Sequence, residues 1–123
     1  MLTDSRAYSG IAVTNLDAAR KFYGETLGLR TTEEYGLLWL KLAGDRDTLV
    51  YPQPEATPAS YTILNFEVDD IDRAVEELSA RGVRFERYAG MDQDENGVFR
   101  QEGPFIAWFK DPSGNVLSVL QER

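Results

Sequence analysis

Apolar residues change their spacing several times along this chain, and each change marks an element. Residues 8–14 and 62–68 alternate in the two-residue period of a half-buried strand, and each run is followed by an Asn or Asp. Beyond those points Leu16, Ala19, Tyr23 and Leu27 recur at spacings of three and four, as do Ile71, Ala74, Val75 and Leu78. That spacing predicts one buried face on each of two helices. Asn15 and Asp70 stand where a side-chain oxygen can cap the first free amides. Asp17 and Asp72 suit the positive end of the helix dipole, and Gly28 and Gly82 can take positive φ and stop each helix. Short alternating stretches follow. After the first helix they are about 30–35, 37–42 and 47–51, turning at Gly36 and around Gly44-Asp45. After the second they are about 84–88, 104–110 and 115–121, the last two joined by Asp111-Pro112-Ser113-Gly114-Asn115, a Pro- and Gly-bearing turn.

The two halves share this order residue by residue. With a shift of 55 positions Val13 falls on Val68, Asn15 on Asp70, Leu16 on Ile71, Asp17 on Asp72 and Ala19 on Ala74. With one residue dropped late in the helix, Gly28 meets Gly82, Leu29 meets Val83 and Arg30 meets Arg84. The pattern predicts two copies of a β-α-β-β-β unit. The proline-rich stretch PQPEATPAS links them, giving one domain of two modules at about 1–52 and 61–123 with a linker at 53–60. Residues 89–103 carry three glycines, four acids and one Arg and show no period. They read either as a solvated mobile loop or as a lid over a site.

Composition narrows the chemistry. Among the 123 residues there is no Cys and no His, so disulfides, thiolate or imidazole catalysis and the usual zinc sites are excluded. A net charge of −8 repels phosphate backbones and anionic lipid, so neither nucleic acid nor a membrane surface is an expected partner. The opening residues MLTDSRAYSG hold no basic leader and no apolar run, and a cytoplasmic location is the expectation.

Alternation also sorts the sheet faces. Ser9, Ile11, Val13, Leu64, Phe66, Phe105, Ala107, Phe109, Leu117 and Val119 suit packing under helices. The opposite face mixes aromatic, small and polar side chains, among them Tyr8, Ile63, Asn65, Glu67, Trp108 and Ser118. A solvent face would hold more Lys and Glu, and a sealed core would hold no Asn or Glu. A mostly apolar wall with a few polar groups is the composition of a small-molecule pocket.

The stretches Ile11–Gly28, Phe66–Asp72, Leu78–Val83 and Trp108-Phe-Lys-Asp-Pro-Ser-Gly-Asn115 together resemble the vicinal oxygen chelate superfamily of glyoxalases, bleomycin-resistance proteins and extradiol dioxygenases. The resemblance implies an α+β fold in which two tandem βαβββ modules form a curved mixed eight-stranded sheet around a cavity, and it implies a homodimer. In metal-using members the ligands lie on the first and last strands of each module. Here those positions fall on Tyr8, Ile63 and Ser118, with the fourth at Leu49 or Tyr51. These are poor metal ligands, so neither a metal nor another cofactor is expected. The leading expectation is a protein that holds a small apolar or aromatic, possibly cationic, molecule against Tyr8, Trp39, Tyr51, Ile63 and Trp108, oriented by Asn65 and Ser118. The alternatives are a metal-free lyase or isomerase, with Glu67 as general base and Asn65 or Tyr8 as hydrogen-bond donor, and a divalent-metal lyase or dioxygenase with an atypical site.

Overall fold

Both helices begin where an extended residue meets a capping side chain. Asn15 (φ −142°) accepts a hydrogen bond from the Ala18 amide, and Asp70 (φ −140°) accepts one from the Arg73 amide. The computed structural model describes all residues 1–123. Its chain divides into two units, Met1–Thr57 and Pro58–Arg123.

The first unit runs β1 (Ser9–Val13), α1 (Leu16–Arg20) continued by a π-helix (Lys21–Thr26), β2 (Thr31–Glu34), β3 (Leu37–Leu42) and β4 (Arg46–Pro52). Its four strands are ordered β1-β4-β3-β2, with β1 parallel to β4 and the other pairs antiparallel. Ile11, Val13, Leu38, Leu40 and Val50 are buried with Ala19 and Tyr23 of the helix, so the apolar face assigned by alternation is the packed one. Arg20 reaches from the helix to grip Glu33 of β2 with two hydrogen bonds of 2.7 Å, which hold the Glu33 carboxyl below the usual carboxylate range.

The second unit runs β5 (Thr62–Glu67), α2 (Ile71–Ala80), β6 (Phe105–Lys110) and β7 (Val116–Gln121). Its three strands are ordered β5-β7-β6, with β5 parallel to β7 and β6 antiparallel to it. In each unit, therefore, the first strand lies parallel beside the last.

The two helical segments differ in a way the sequence explains. Five α-helical and six π-helical residues stand in the first unit against ten α-helical residues in the second. The surplus is the one residue that the sequence alignment of the halves had to drop. A π-turn absorbs an added residue without rotating the flanking face, so Tyr23 stays buried and the chain still exits through a positive-φ glycine, Gly28 at +72° and Gly82 at +92°.

Seven strands form in place of the eight expected. Residues 84–88 contribute a single bridge, Phe85 to Phe109, and one further bond from the Glu86 amide to the Trp108 carbonyl. The side chain of Gln93 takes the next backbone groups. Its Nε2 donates to the carbonyls of Glu86 and Gly97, and its Oε1 accepts from the Tyr88 amide. A side-chain amide thus stands where a neighbouring strand would have continued.

Segment 89–103 is correspondingly a built loop. Asp94 accepts from the amides of Asn96 and Val98 and from Arg100, Val98 is fully buried, and Phe99 pairs with Ile106 through bonds of 2.8 and 3.1 Å. Gly97, at φ +89°, passes so close that an added Cβ would lie 3.2 Å from Phe85 Cβ. Two details of β5 and β7 also depart from simple alternation. Ile63 is the unpaired residue of a register shift between Thr62 and Leu64, so its face cannot be read by counting along the strand. The central strand β7 is buried on both sides from Val116 to Val119. No helix is long and apolar enough to cross a membrane.

Candidate functional site

The face of the first sheet turned away from its helix gathers three of the expected aromatic residues. Register places Gly10, Leu49, Trp39 and Thr32 in one row across β1, β4, β3 and β2, with Ala12, Tyr51, Leu37 and Glu34 in the next. Tyr8 reaches over β4 to meet Trp39 edge to face, ring centroids 4.7 Å apart. The Tyr51 ring lies against Gly10, its Cε1 3.4 Å from where a Cβ would stand. Tyr8 keeps 58% of its surface exposed although it is packed on one side.

Around Tyr8 and Trp39 opens a cleft of about 300 Å³ lined also by Arg6, Thr32, Glu34, Lys41 and Asp47. That is the lower end of the size range for small-molecule sites. Asp47 is largely buried and receives Lys41 Nζ at 2.6 Å and Arg6 at 3.5 Å, so both cations of the cleft are tied to one carboxylate. Glu34, on the opposite wall, enters no hydrogen bond or ion pair and leaves its negative charge open to the cleft. The sequence reading missed these polar residues. Their signal was present in the alternation, since Lys41 follows Trp39 on the same face and Thr32 and Glu34 share the facing side of β2.

The second unit brings a different set together. Asn65, Ser118 and Trp108 occupy facing positions on β5, β7 and β6. The Ser118 hydroxyl, fully buried, donates to Asn65 Oδ1 at 2.5 Å, while the Asn65 side chain remains exposed. Trp108 meets Tyr88 edge to face at 5.5 Å. Burial, followed by the nearby Glu86 carboxylate, pushes the Tyr88 hydroxyl above its ordinary value. Glu67 is not part of this row. It is exposed at the end of β5, where it lines an open cleft with Val68, Asp69, Gln121 and Glu122 and no aromatic residue.

Strand pairing also resolves the fourth metal-ligand position implied by the resemblance. Ser118 faces Asn65 in the second unit; the residue 55 positions before Asn65 is Gly10, and Gly10 faces Leu49. The four positions are therefore Tyr8, Leu49, Ile63 and Ser118. Leu49 and Ile63 carry no donor atom, the Ser118 hydroxyl is committed to Asn65, and Tyr8 is packed on Trp39. This set does not fit a divalent cation, which requires several carboxylate, carbonyl or imidazole ligands.

Comparison with known proteins agrees with the fold. The chain is similar to a glyoxalase family protein from Bacillus anthracis, with a TM-score of 0.73 and 21% identity over 100% of both chains. It is similar to TnmS3, an antibiotic binding protein from Streptomyces sp. CB03234, with a TM-score of 0.71 and 23% identity over 97% of this chain and 98% of that one. A glyoxalase/bleomycin resistance protein from the same Streptomyces strain is 26% identical, with a TM-score of 0.67 over 95% of this chain and 100% of that one. No curated protein sequence matches. The family model described as Glyoxalase/Bleomycin resistance protein/Dioxygenase superfamily matches residues 6–119. A match spanning nearly the whole chain, on a sheet-and-helix fold shared with glyoxalase-family structures, makes this protein a member of the Glyoxalase/Bleomycin resistance protein/Dioxygenase superfamily.

Proposed function

We propose that this protein binds a small aromatic molecule carrying a cationic group, and that it does so without a resident metal. The carrying observation is the Tyr8–Trp39 pair in its cleft, with Glu34 unpaired beside it. Two rings inclined at 64° offer aromatic surface in two directions to a flat guest, and each such contact adds about 0.5–1.5 kcal/mol beyond area burial. A cation gains from the Trp39 face and from Glu34, and the chain's charge of −8 draws it in from a distance. A simple anion meets Arg6 and Lys41 sharing the Asp47 carboxylate and facing Glu34, so the two cations and two carboxylates of the cleft leave it no net positive charge. The likeness to an antibiotic binding protein supports a sequestering role on this fold. The proposal includes the homodimer implied by the family resemblance.

Calorimetric titration with a panel of aromatic ammonium compounds tests the reading. Micromolar binding is expected for some members, falling about tenfold in Trp39→Ala, the scale of one lost stacking contact. Binding no tighter than millimolar across the panel refutes it. Stoichiometric metal in protein purified without chelator refutes the metal-free part, and a mass of one chain by light scattering refutes the dimer.

A further inference from the structure

The cleft around Tyr8 and Trp39 holds two cations and two carboxylates, and they are not equally engaged. Asp47, its side chain 17% exposed, takes Lys41 Nζ at 2.6 Å, a short charge-assisted bond. Arg6 reaches the same Asp47 Oδ2 only at 3.5 Å, through one N–H of the five on its guanidinium, and its side chain is 76% exposed. A contact that long, at the surface, holds the guanidinium loosely. Lys41 and Asp47 thus make one neutral pair. Arg6 is left as a positive charge with open donors, and Glu34 as a negative charge with no partner.

Register sets these two charges at opposite ends of the aromatic floor. Leu37, Trp39 and Lys41 share one side of β3. Glu34 lies opposite Leu37, and Asp47, the residue Arg6 approaches, lies opposite Lys41. Four residues of strand, or about 13 Å, separate those two rows, and Trp39 stands in the row between them. An α-amino acid carries its two charges side by side and reaches one end only.

We infer that Arg6 is a specificity-determining residue, and that the cleft selects an aromatic zwitterion whose ammonium and carboxylate lie at opposite ends of the ring. The inference rests on the proposed binding of an aromatic cation and specifies the second charged group of that ligand. The ammonium meets Glu34, the ring rests on the Tyr8–Trp39 pair, and the carboxylate takes the open N–H groups of Arg6, whose planar fork suits it. A carboxylate without the ammonium is opposed by Glu34 and by the net charge of −8, and an ammonium without the carboxylate leaves Arg6 unmatched.

Calorimetric titration with benzylammonium, 4-(aminomethyl)benzoate, benzoate and phenylalanine tests the inference, with the Trp39 indole NMR resonance reporting where each binds. 4-(Aminomethyl)benzoate is expected to bind about tenfold tighter than benzylammonium, the scale of one added charge-assisted bond, and benzoate more weakly than either. Phenylalanine should lack the gain. In Arg6→Gln the ratio between the zwitterion and benzylammonium should fall to about one. In Glu34→Gln both should weaken about tenfold with the ratio kept. Both substitutions are at the surface, and the backbone amide spectrum checks each fold. A ratio near one in the unaltered protein, a ratio that survives Arg6→Gln, or an equal gain for phenylalanine overturns the inference, while benzylammonium binding at Trp39 leaves the wider proposal standing. No response at Trp39 to any of the four probes overturns the inference too, and titration across the broader ammonium panel then decides the binding proposal by itself.

Discussion

Replacing Asp111 by Ala should cost about 3–5 kcal/mol of stability. The carboxylate is 4% exposed and organises the turn between β6 and β7. Its Oδ1 accepts from the amides of Ser113 at 2.9 Å and Asn115 at 2.8 Å, and its Oδ2 accepts from Asn115 Nδ2 at 3.0 Å. Asn115, held in this way, turns its own Oδ1 to the Ala59 amide at 2.9 Å and so fixes the start of the second unit to the turn. The two Asn115 donors that Asp111 satisfies are buried, and loss of that acceptor costs about 1–2 kcal/mol for each, while the Ser113 amide can be hydrated at a loss nearer 1 kcal/mol. Total stabilities of small proteins run to about 5–15 kcal/mol, so this one turn holds a large share. Urea unfolding followed by far-ultraviolet circular dichroism should show the midpoint lowered by about 2 M at an unchanged slope near 2 kcal/mol/M. Asp111→Asn keeps one carbonyl for the backbone amides but sets its NH2 against that of Asn115, and should lose about half as much. A loss below about 1 kcal/mol in the Ala variant refutes the hydrogen-bond reasoning. Equal losses in the two variants would show that charge, and not acceptor geometry, is what the turn uses.

Three further outcomes follow from the same structure. Burial would raise the Asp94 carboxyl, but the amides of Val98 and Asn96 together with Arg100 outweigh it and hold it below the ordinary value. A depressed carboxyl stabilises above the unfolded value and loses that contribution as pH falls through the folded one, so amide exchange at Val98 should accelerate only below about pH 4; a rise already at pH 6 contradicts this. Tyr35 is 98% exposed at φ +53°, before Gly36 at +76°, in the tip of the β2–β3 hairpin. Tyr35→Asn should raise stability by about 0.5–1 kcal/mol, since Asn tolerates that conformation better, and a lowered melting temperature would refute it. Deleting Glu25 should convert the π-helical segment to α-helix while the β1–β4 amide spectrum persists, at a cost of about 2 kcal/mol or less; global unfolding would show that the added residue is structurally required.

Local chemistry made much of this protein legible from its residues alone. Both helix starts were readable because Asn15 and Asp70 satisfy amides three residues ahead, and both helix ends because Gly28 and Gly82 bear a positive φ that few other residues adopt. The family was legible as a resemblance carried by stretches such as Ile11–Gly28 and Trp108–Asn115, the repeat because the helix signals recur at one spacing in both halves, and the side of Tyr8 from counting by two. Other features depended on partners remote in sequence. The eighth strand fails because Gln93, beyond the segment, claims the Glu86 carbonyl and the Tyr88 amide, and no strand period records that competition. Counting by two does not fix the face of Ile63, because a register shift adds one residue to a count that assumes none. Register alone identified Leu49 over Tyr51 as the counterpart of Ser118, and side-chain reach alone brought Tyr8 across a whole strand to Trp39 and left Glu34 the unpaired charge of that cleft. The sequence determined by itself which backbone states each residue accepts, because propensity, capping and period act within a few residues. Which polar groups meet was decided only by tertiary structure, because a hydrogen bond or ion pair depends on distances between strands that the linear order leaves free.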